Sequence, residues 1–180
     1  MENDLENLVY SENIVEFLTV ANDYCAFMDD LVNYNRANFI DRSLKLLPLI
    51  YLKASLLPTL DGDTLEIEKN VTHEEWQYVN SKVMNLMDQF NTYAEITDPL
   101  NNESDLPVLA SISENFADIY QDMKDFVSLY QIGTVEIMRD AIYECKSNFE
   151  NYWGLSLVNA LKALHFANYN RSDNINFLNN

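Results

Sequence analysis

Glycine, proline, cysteine and positive charge are all scarce in this chain. Its 180 residues include 3 glycines and 4 prolines. A β-sandwich or barrel needs many tight turns, and the residues that make them are missing. Long helices are what remains. Gly62, Gly133 and Gly154 stand too far apart to build a glycine-rich phosphate loop, which excludes a Rossmann or P-loop nucleotide site. Cys25 and Cys145 lie far apart within helical patterns, and read as small buried hydrophobes with free thiols. The most apolar stretch, Leu44 to Leu60, is broken by Lys45, Pro48, Lys53 and Pro58 and is too short to span a bilayer. The opening MENDLENLVY is acidic and has no apolar run, so no signal peptide and a cytoplasmic location are expected. Without a secretory signal the sequon Asn70-Val71-Thr72 carries no weight.

What is abundant is acid. Twenty-nine Asp and Glu face 11 Lys and Arg, for a net charge of -18. Such a chain is repelled by a nucleic-acid backbone and by an anionic membrane, so neither is an expected partner. A basic protein is. The charge is uneven: residues 1–60 carry net -5, residues 61–120 net -11 and residues 121–180 net -2. From Arg42 to Leu60 there is no acid at all. With 48% hydrophobic residues the chain can fill a core, and at this length it buries roughly 70% of its unfolded surface without a disulfide or metal. One domain over residues 1–180 is expected, with 1–10 and 170–180 as loose termini.

Apolar residues recur in steps of three and four along five or more segments. Ile14, Leu18, Ala21, Cys25, Met28 and Val32 mark a first helix from Glu12 to Val32, capped by Ser11. A second spans Arg36 to Leu56, where Pro48 predicts a break. Thr72 and Glu75 form a capping box for a third, striped by Trp76, Val79, Val83, Leu86, Phe90 and Tyr93. Ile112, Phe116, Ile119, Met123, Phe126 and Tyr130 stripe a fourth from Ser111 to Gln131, which Gly133 ends. A fifth follows Thr134, with Met138, Ile142, Cys145, Phe149 and Tyr152 as its seam. Gly154 then interrupts, and a last helix from Leu155 to Asn168 packs Val158, Leu161, Leu164 and Phe166. Residues 59–71 and 97–107 read as loops. The expected fold is all-α, a single compact up-and-down bundle of five to seven helices.

Particular strings sharpen this. Ala110-Ser111-Ile112-Ser113-Glu114, Asp118 through Phe126, Tyr152-Trp153-Gly154 and Leu157 through His165 together resemble an uncharacterised bacterial family, domain of unknown function 5063. Leu49 through Pro58 is similar to the same family's second helix. The resemblance implies an all-helical bacterial, cytoplasmic domain, with no activity and no catalytic residues to carry over.

No cofactor motif is present. A di-iron bundle needs Glu-x-x-His twice, but Asn70 and Lys162 precede His73 and His165 by three. The cysteines and histidines have no zinc spacing. Asp61 to Glu66 is dense in acid but its glycine is misplaced for a calcium loop. Glu114, Asp118, Asp122 and Asp125 line one face of the fourth helix. They read as a solvated face, or as the match for Lys45 and Lys53 of the acid-free helix. Tyr51, Tyr130 and Tyr143 read as core-edge residues or as cleft walls. The leading functional expectation is a non-enzymatic acidic interaction module, binding a basic partner through residues 61–125. One alternative is a small-molecule site or enzyme in a cleft between the second, fourth and last helices, lined by Lys53, Tyr120, Asp122, Trp153 and His165. Another is mimicry of a nucleic acid by ordered carboxylates.

Overall fold

A computed structural model of the chain describes residues 2–60, 71–95 and 107–169, with side chains from residue 5 onward. Seven α-helices are present among them: α1 (Glu2–Val9), α2 (Glu12–Asp29), α3 (Arg36–Ser55), α4 (His73–Met87), α5 (Ile112–Ile132), α6 (Val135–Asn148) and α7 (Gly154–Tyr169). Between α4 and α5 lies a short antiparallel hairpin, β1 (Thr92–Glu95) and β2 (Val108–Ser111), with Thr92 opposite Ser111. The fold is all-α, a helical bundle with this one small sheet. The acid-dense segment 61–66, most of the 97–107 loop and the tail from 170 lie outside the described residues.

α5 is the axis. It packs against α2, α4, α6 and α7, while α3 closes the bundle over α2 and α7. Its whole expected seam, Ile112, Phe116, Ile119, Met123, Phe126 and Tyr130, is buried, and so are Ser113, Asn115, Ala117, Tyr120, Val127 and Leu129 around it. Phe17 and Tyr24 of α2 meet it through Phe126 and Phe116, with ring centroids 5.0 and 6.2 Å apart. The Tyr24 hydroxyl donates to the Phe116 carbonyl at 2.9 Å, which satisfies the one polar atom of a fully buried ring.

The helix ends follow local chemistry. Thr72 and Glu75 form the reciprocal capping box at α4. Ser111 Oγ accepts from the Glu114 N–H at the start of α5, and Gly133, at φ 82°, closes its end in the left-handed region. Ser11 sits at the N-cap of α2, but its hydroxyl makes no capping bond. Asn91 ties the hairpin to α5: its carbonyl accepts from Ile112 N–H at 2.8 Å and its Oδ1 from Ser113 N–H at 2.9 Å.

Several expectations are corrected. α3 runs through Pro48 as one helix. The missing N–H lies on the exposed side, while Ser43, Leu46, Leu47 and Ile50 are buried on the other, so packing holds both halves in line. Residues near the N-terminus form α1 rather than a loose end, because the Tyr130 hydroxyl donates to the Val9 carbonyl at 2.7 Å and Val9 is buried. Tyr93 belongs to β1, not to the third helix, which ends at Met87 with Asp88 at φ 51°. Val32 lies beyond α2 and is exposed. In α7 the buried residues are Leu157, Ala160, Leu164 and Ala167, whereas Val158 and Phe166 face outward.

Gly154 does not interrupt the chain. A π-helical turn, Phe149–Trp153, carries α6 directly into α7, and Gly154 is itself helical. What requires glycine is space. A Cβ there would meet the Phe149 carbonyl oxygen and, at 2.9 Å, a carbon of its ring. We therefore expect Gly154→Ala to destabilise the fold. Overpacking costs about 1–3 kcal/mol, against a helix-propensity gain of about 1, and a backbone oxygen cannot swing aside. Urea unfolding read by circular dichroism checks this. An unchanged or raised midpoint would return Gly154 to the role of a simple weak point.

Candidate functional site

The acidic stripe of α5 is not a wet face. Trp76 of α4 donates its indole N–H to Asp118 Oδ1 at 2.9 Å, and the Tyr152 hydroxyl donates to Asp118 Oδ2 at 2.8 Å. Asn148 of α6 donates to Asp122 at 2.7 Å, and the Val71 N–H to Asp125 at 2.9 Å. Three of the four carboxylates are half-buried in the grooves that α4 and α6 make against α5, and only Glu114 is exposed. Each of these four bonds is a charge-assisted one from a neutral donor. A row of acids turned inward in this way is not available to imitate a duplex. Between α5 and α6, Asp122, Asp125 and Glu144 border a void of only about 10 Å³, room for one water at most.

The expected match to the lysines is also corrected. Lys53 reaches Glu16 of α2 at 2.6 Å, and Lys45 pairs with Asp41 one turn away at 2.7 Å. α3 lies against α2 and α7 rather than along the stripe.

The five residues expected to share a cleft are not brought together. Lys53 is on the α2–α3 seam with Glu16. Asp122 faces α6. Trp153 is fully buried, donating to the Cys145 carbonyl at 3.3 Å. His165 lies exposed on α7 beside Tyr169, with ring centroids 4.8 Å apart. Periodicity assigns Lys53, Tyr120, Asp122 and His165 to the helices that carry them but not to one shared side, and Trp153 lies in the π-helical turn between α6 and α7. Of the other rings, Tyr51 packs edge-on against Phe149 at 5.1 Å, and Tyr130 is the anchor of α1.

Tyr120 lines a different recess, of about 330 Å³, where α2, α4 and α5 meet. Its hydroxyl donates to Asp29 Oδ1 at 2.8 Å, and Lys124, one turn on, approaches Asp29 Oδ2 at 3.2 Å. Glu74, Glu75, Thr72 and Tyr78 supply the α4 wall. Three carboxylates thus surround one lysine and two phenols. Glu75 Oε2 accepts both the Thr72 N–H at 2.8 Å and the Thr72 hydroxyl at 2.9 Å. Those bonds hold the Glu75 carboxyl below its usual range. Burial, then the hydrogen bond to Asp29, pushes the Tyr120 phenol well up. Sequence reasoning found Tyr120 and the capping box but missed Asp29 and Lys124. A signal existed: Asp29 ends α2 with no base in its last turn, a charge opposed by the helix dipole and in need of a partner.

Among the described residues, no three His, Cys, Asp or Glu side chains are grouped to hold a metal ion, and no helix is long and apolar enough to cross a membrane. Both cysteines are free and buried. Burial raises the Cys25 thiol to about 12 and raises the Cys145 thiol well above its ordinary value, so neither is an activated nucleophile.

Burial likewise raises Tyr24, Tyr93, Tyr120 and Tyr130, and raises Tyr152 to about 12 with help from its bond to Asp118. These groups keep their protons in the fold after the unfolded chain has lost them. Stability is therefore full below the ordinary values of 9.0 and 10.0, and falls as pH rises beyond them. We expect an ultraviolet titration to show fewer than the 11 tyrosines ionising before a cooperative alkaline unfolding, and the remainder with it. Eleven phenols titrating together near 10 in folded protein would contradict these environments.

A family model described as domain of unknown function 5063 matches residues 8–170. No curated protein matches the chain. Among solved structures it is similar to the crystal structure of protein BF1032 from Bacteroides fragilis, at 36% identity over 92% of this chain and 98% of that one, with a TM-score of 0.80.

Proposed function

The chain belongs to the family known as domain of unknown function 5063, and from that footing we propose that it is a non-enzymatic interaction module that takes a basic side chain of a partner protein into the Asp29–Glu74–Glu75 recess. The observation that carries this reading is where the cations go. Arg36, Lys45, Lys53, Lys124, Arg139 and Lys146 are each within ion-pair distance of a carboxylate of the same chain. With net charge -18, the unmatched surplus is carboxylate. In the recess that surplus stands beside the half-exposed Tyr78 ring, which already receives Lys82 of this chain at 5.4 Å and so suits the approach of a basic side chain. Such binding is fast and salt-sensitive, because steering by net charge is screened beyond about 10 Å at 0.1 M salt. The cytoplasm is the proposed location, supported by the two free thiols.

Affinity capture from the host extract, read by mass spectrometry at low and high salt, tests the proposal. A basic protein is expected at low salt only. Glu74→Lys with Tyr78→Ala, both on exposed side chains outside the capping bonds, should weaken its retention by about tenfold or more, on the order of 1.4 kcal/mol. Recovery of nothing at low salt, or equal recovery by the double variant, would overturn it.

A further inference from the structure

α3 and α7 lie side by side and present their outer ridges to solvent. On α3 and its C-cap the exposed apolar residues of this face are Pro48, Leu49, Leu52 and Leu56, and on α7 they are Leu155, Val158, Phe166 and Tyr169. Steps of one, three and four on α3, and of three, eight and three on α7, keep each set within about 100° of one helix face. Between the ridges runs a groove of about 650 Å³, walled by Leu44 and Pro48 on one side and by Val158, Leu161 and Tyr169 on the other. Single exposed leucines need no explanation, but a contiguous two-helix patch does.

The charge on this face is as distinctive as its hydrophobicity. α7 contains no acid, and α3 contains none after Asp41. The charged or titratable groups beside the ridges are Arg42 and Lys45, the latter held by Asp41, Lys53 held by Glu16 of α2, Lys146 held by Glu150 at the end of α3, and Lys162 and His165. In a chain of net -18, a face whose two helices carry no acid after Asp41 is one on which a second copy is little repelled.

From this juxtaposition we propose that the α3–α7 face is a homodimer interface, in which two copies pack two helices on two about a twofold axis. The area fits. Seven of the eight side chains are large apolar groups between 40% and 61% exposed, and together they offer roughly 600 Å² or more. With the polar rim included, that approaches the roughly 800 Å² per partner of a standard interface. The groove gives the opposing ridge somewhere to seat, as ridges-into-grooves packing requires. This interface is distinct from the acidic recess, and neither proposal depends on the other.

The two surfaces also respond oppositely to salt. An apolar contact between two copies of like net charge tightens when salt screens their repulsion. Sedimentation equilibrium of the full chain tests the proposal. The expected species has twice the 20.9 kDa chain mass, with a dimerisation constant that rises between about 0.05 and about 0.5 M salt. Leu52→Glu and Phe166→Glu, both at exposed positions, should each weaken dimerisation at least about 100-fold, since a twofold interface meets every substitution twice. Circular dichroism should show their helices intact. Leu109→Glu on the hairpin, 82% exposed, should leave the dimer unchanged. A monomer at every concentration and salt, a dimer that survives both ridge variants, or one broken by Leu109→Glu would each overturn it.

Discussion

Packing four helices around α5 leaves that helix almost no free circumference. Each polar group on it must then find a partner inside the protein, because a buried unpaired donor or acceptor costs about 1–3 kcal/mol and a charge more. Much of the surrounding architecture answers that demand. Trp76, Tyr152, Asn148 and the Val71 N–H are spent on Asp118, Asp122 and Asp125. The amides of Ile112 and Ser113, at the exposed-donor end of the helix, are received by Asn91. Asn115 donates to the Tyr93 hydroxyl at 2.6 Å, which fastens β1 to the same end. The hairpin is thus less an independent sheet than a device for closing the first turns of α5.

Holding the acids with neutral donors has a consequence for charge. An indole, phenol or amide donor adds no positive charge to the carboxylate it holds, whereas a lysine would neutralise that charge locally. The cations are instead distributed toward the periphery, on Glu16, Asp29, Asp41, Asp88 and Glu150. Asp140, beside Arg139, is the buried exception. The half-buried acids of α5 therefore set register, while the net charge of -18 follows from composition. That charge then acts on partners and on second copies over distances of a Debye length.

How much of this the amino-acid pattern displays differs from helix to helix. The apolar seam of α5 was legible because Ile112, Phe116, Ile119, Met123, Phe126 and Tyr130 recur at one phase and every one of them is buried. The capping box at Thr72 and the left-handed glycine at 133 were legible because they are local chemistry, decided within four residues. α7 was not. It is apolar nearly all round, so periodicity picks no single face. Close approach to α3 and α5 then selected the small residues, Ala160 and Ala167, with Leu157 and Leu164, and sent Val158 and Phe166 outward. The partners of the α5 acids were invisible for another reason. Asp118 is 42 residues from Trp76 and 34 from Tyr152, and spacing within one helix says nothing about which neighbour fills its groove.

The misread helix and the recess share a cause. Both concern which side of a helix meets another, and that is settled by fit between elements rather than by pattern within one. Tyr120 was singled out for its ring and hydroxyl, but its role follows from Asp29, 91 residues away at the end of α2. Once that bond forms, Lys124 is drawn to the same carboxylate, and Glu74 and Glu75 are left to set the sign of the recess. On the opposite count, the phase of α7 leaves its bulky residues beside the outer ridge of α3, where no carboxylate of either helix intervenes. Two surfaces of contrary character arise from one packing solution: a recess where negative charge is concentrated, and a face from which it is excluded.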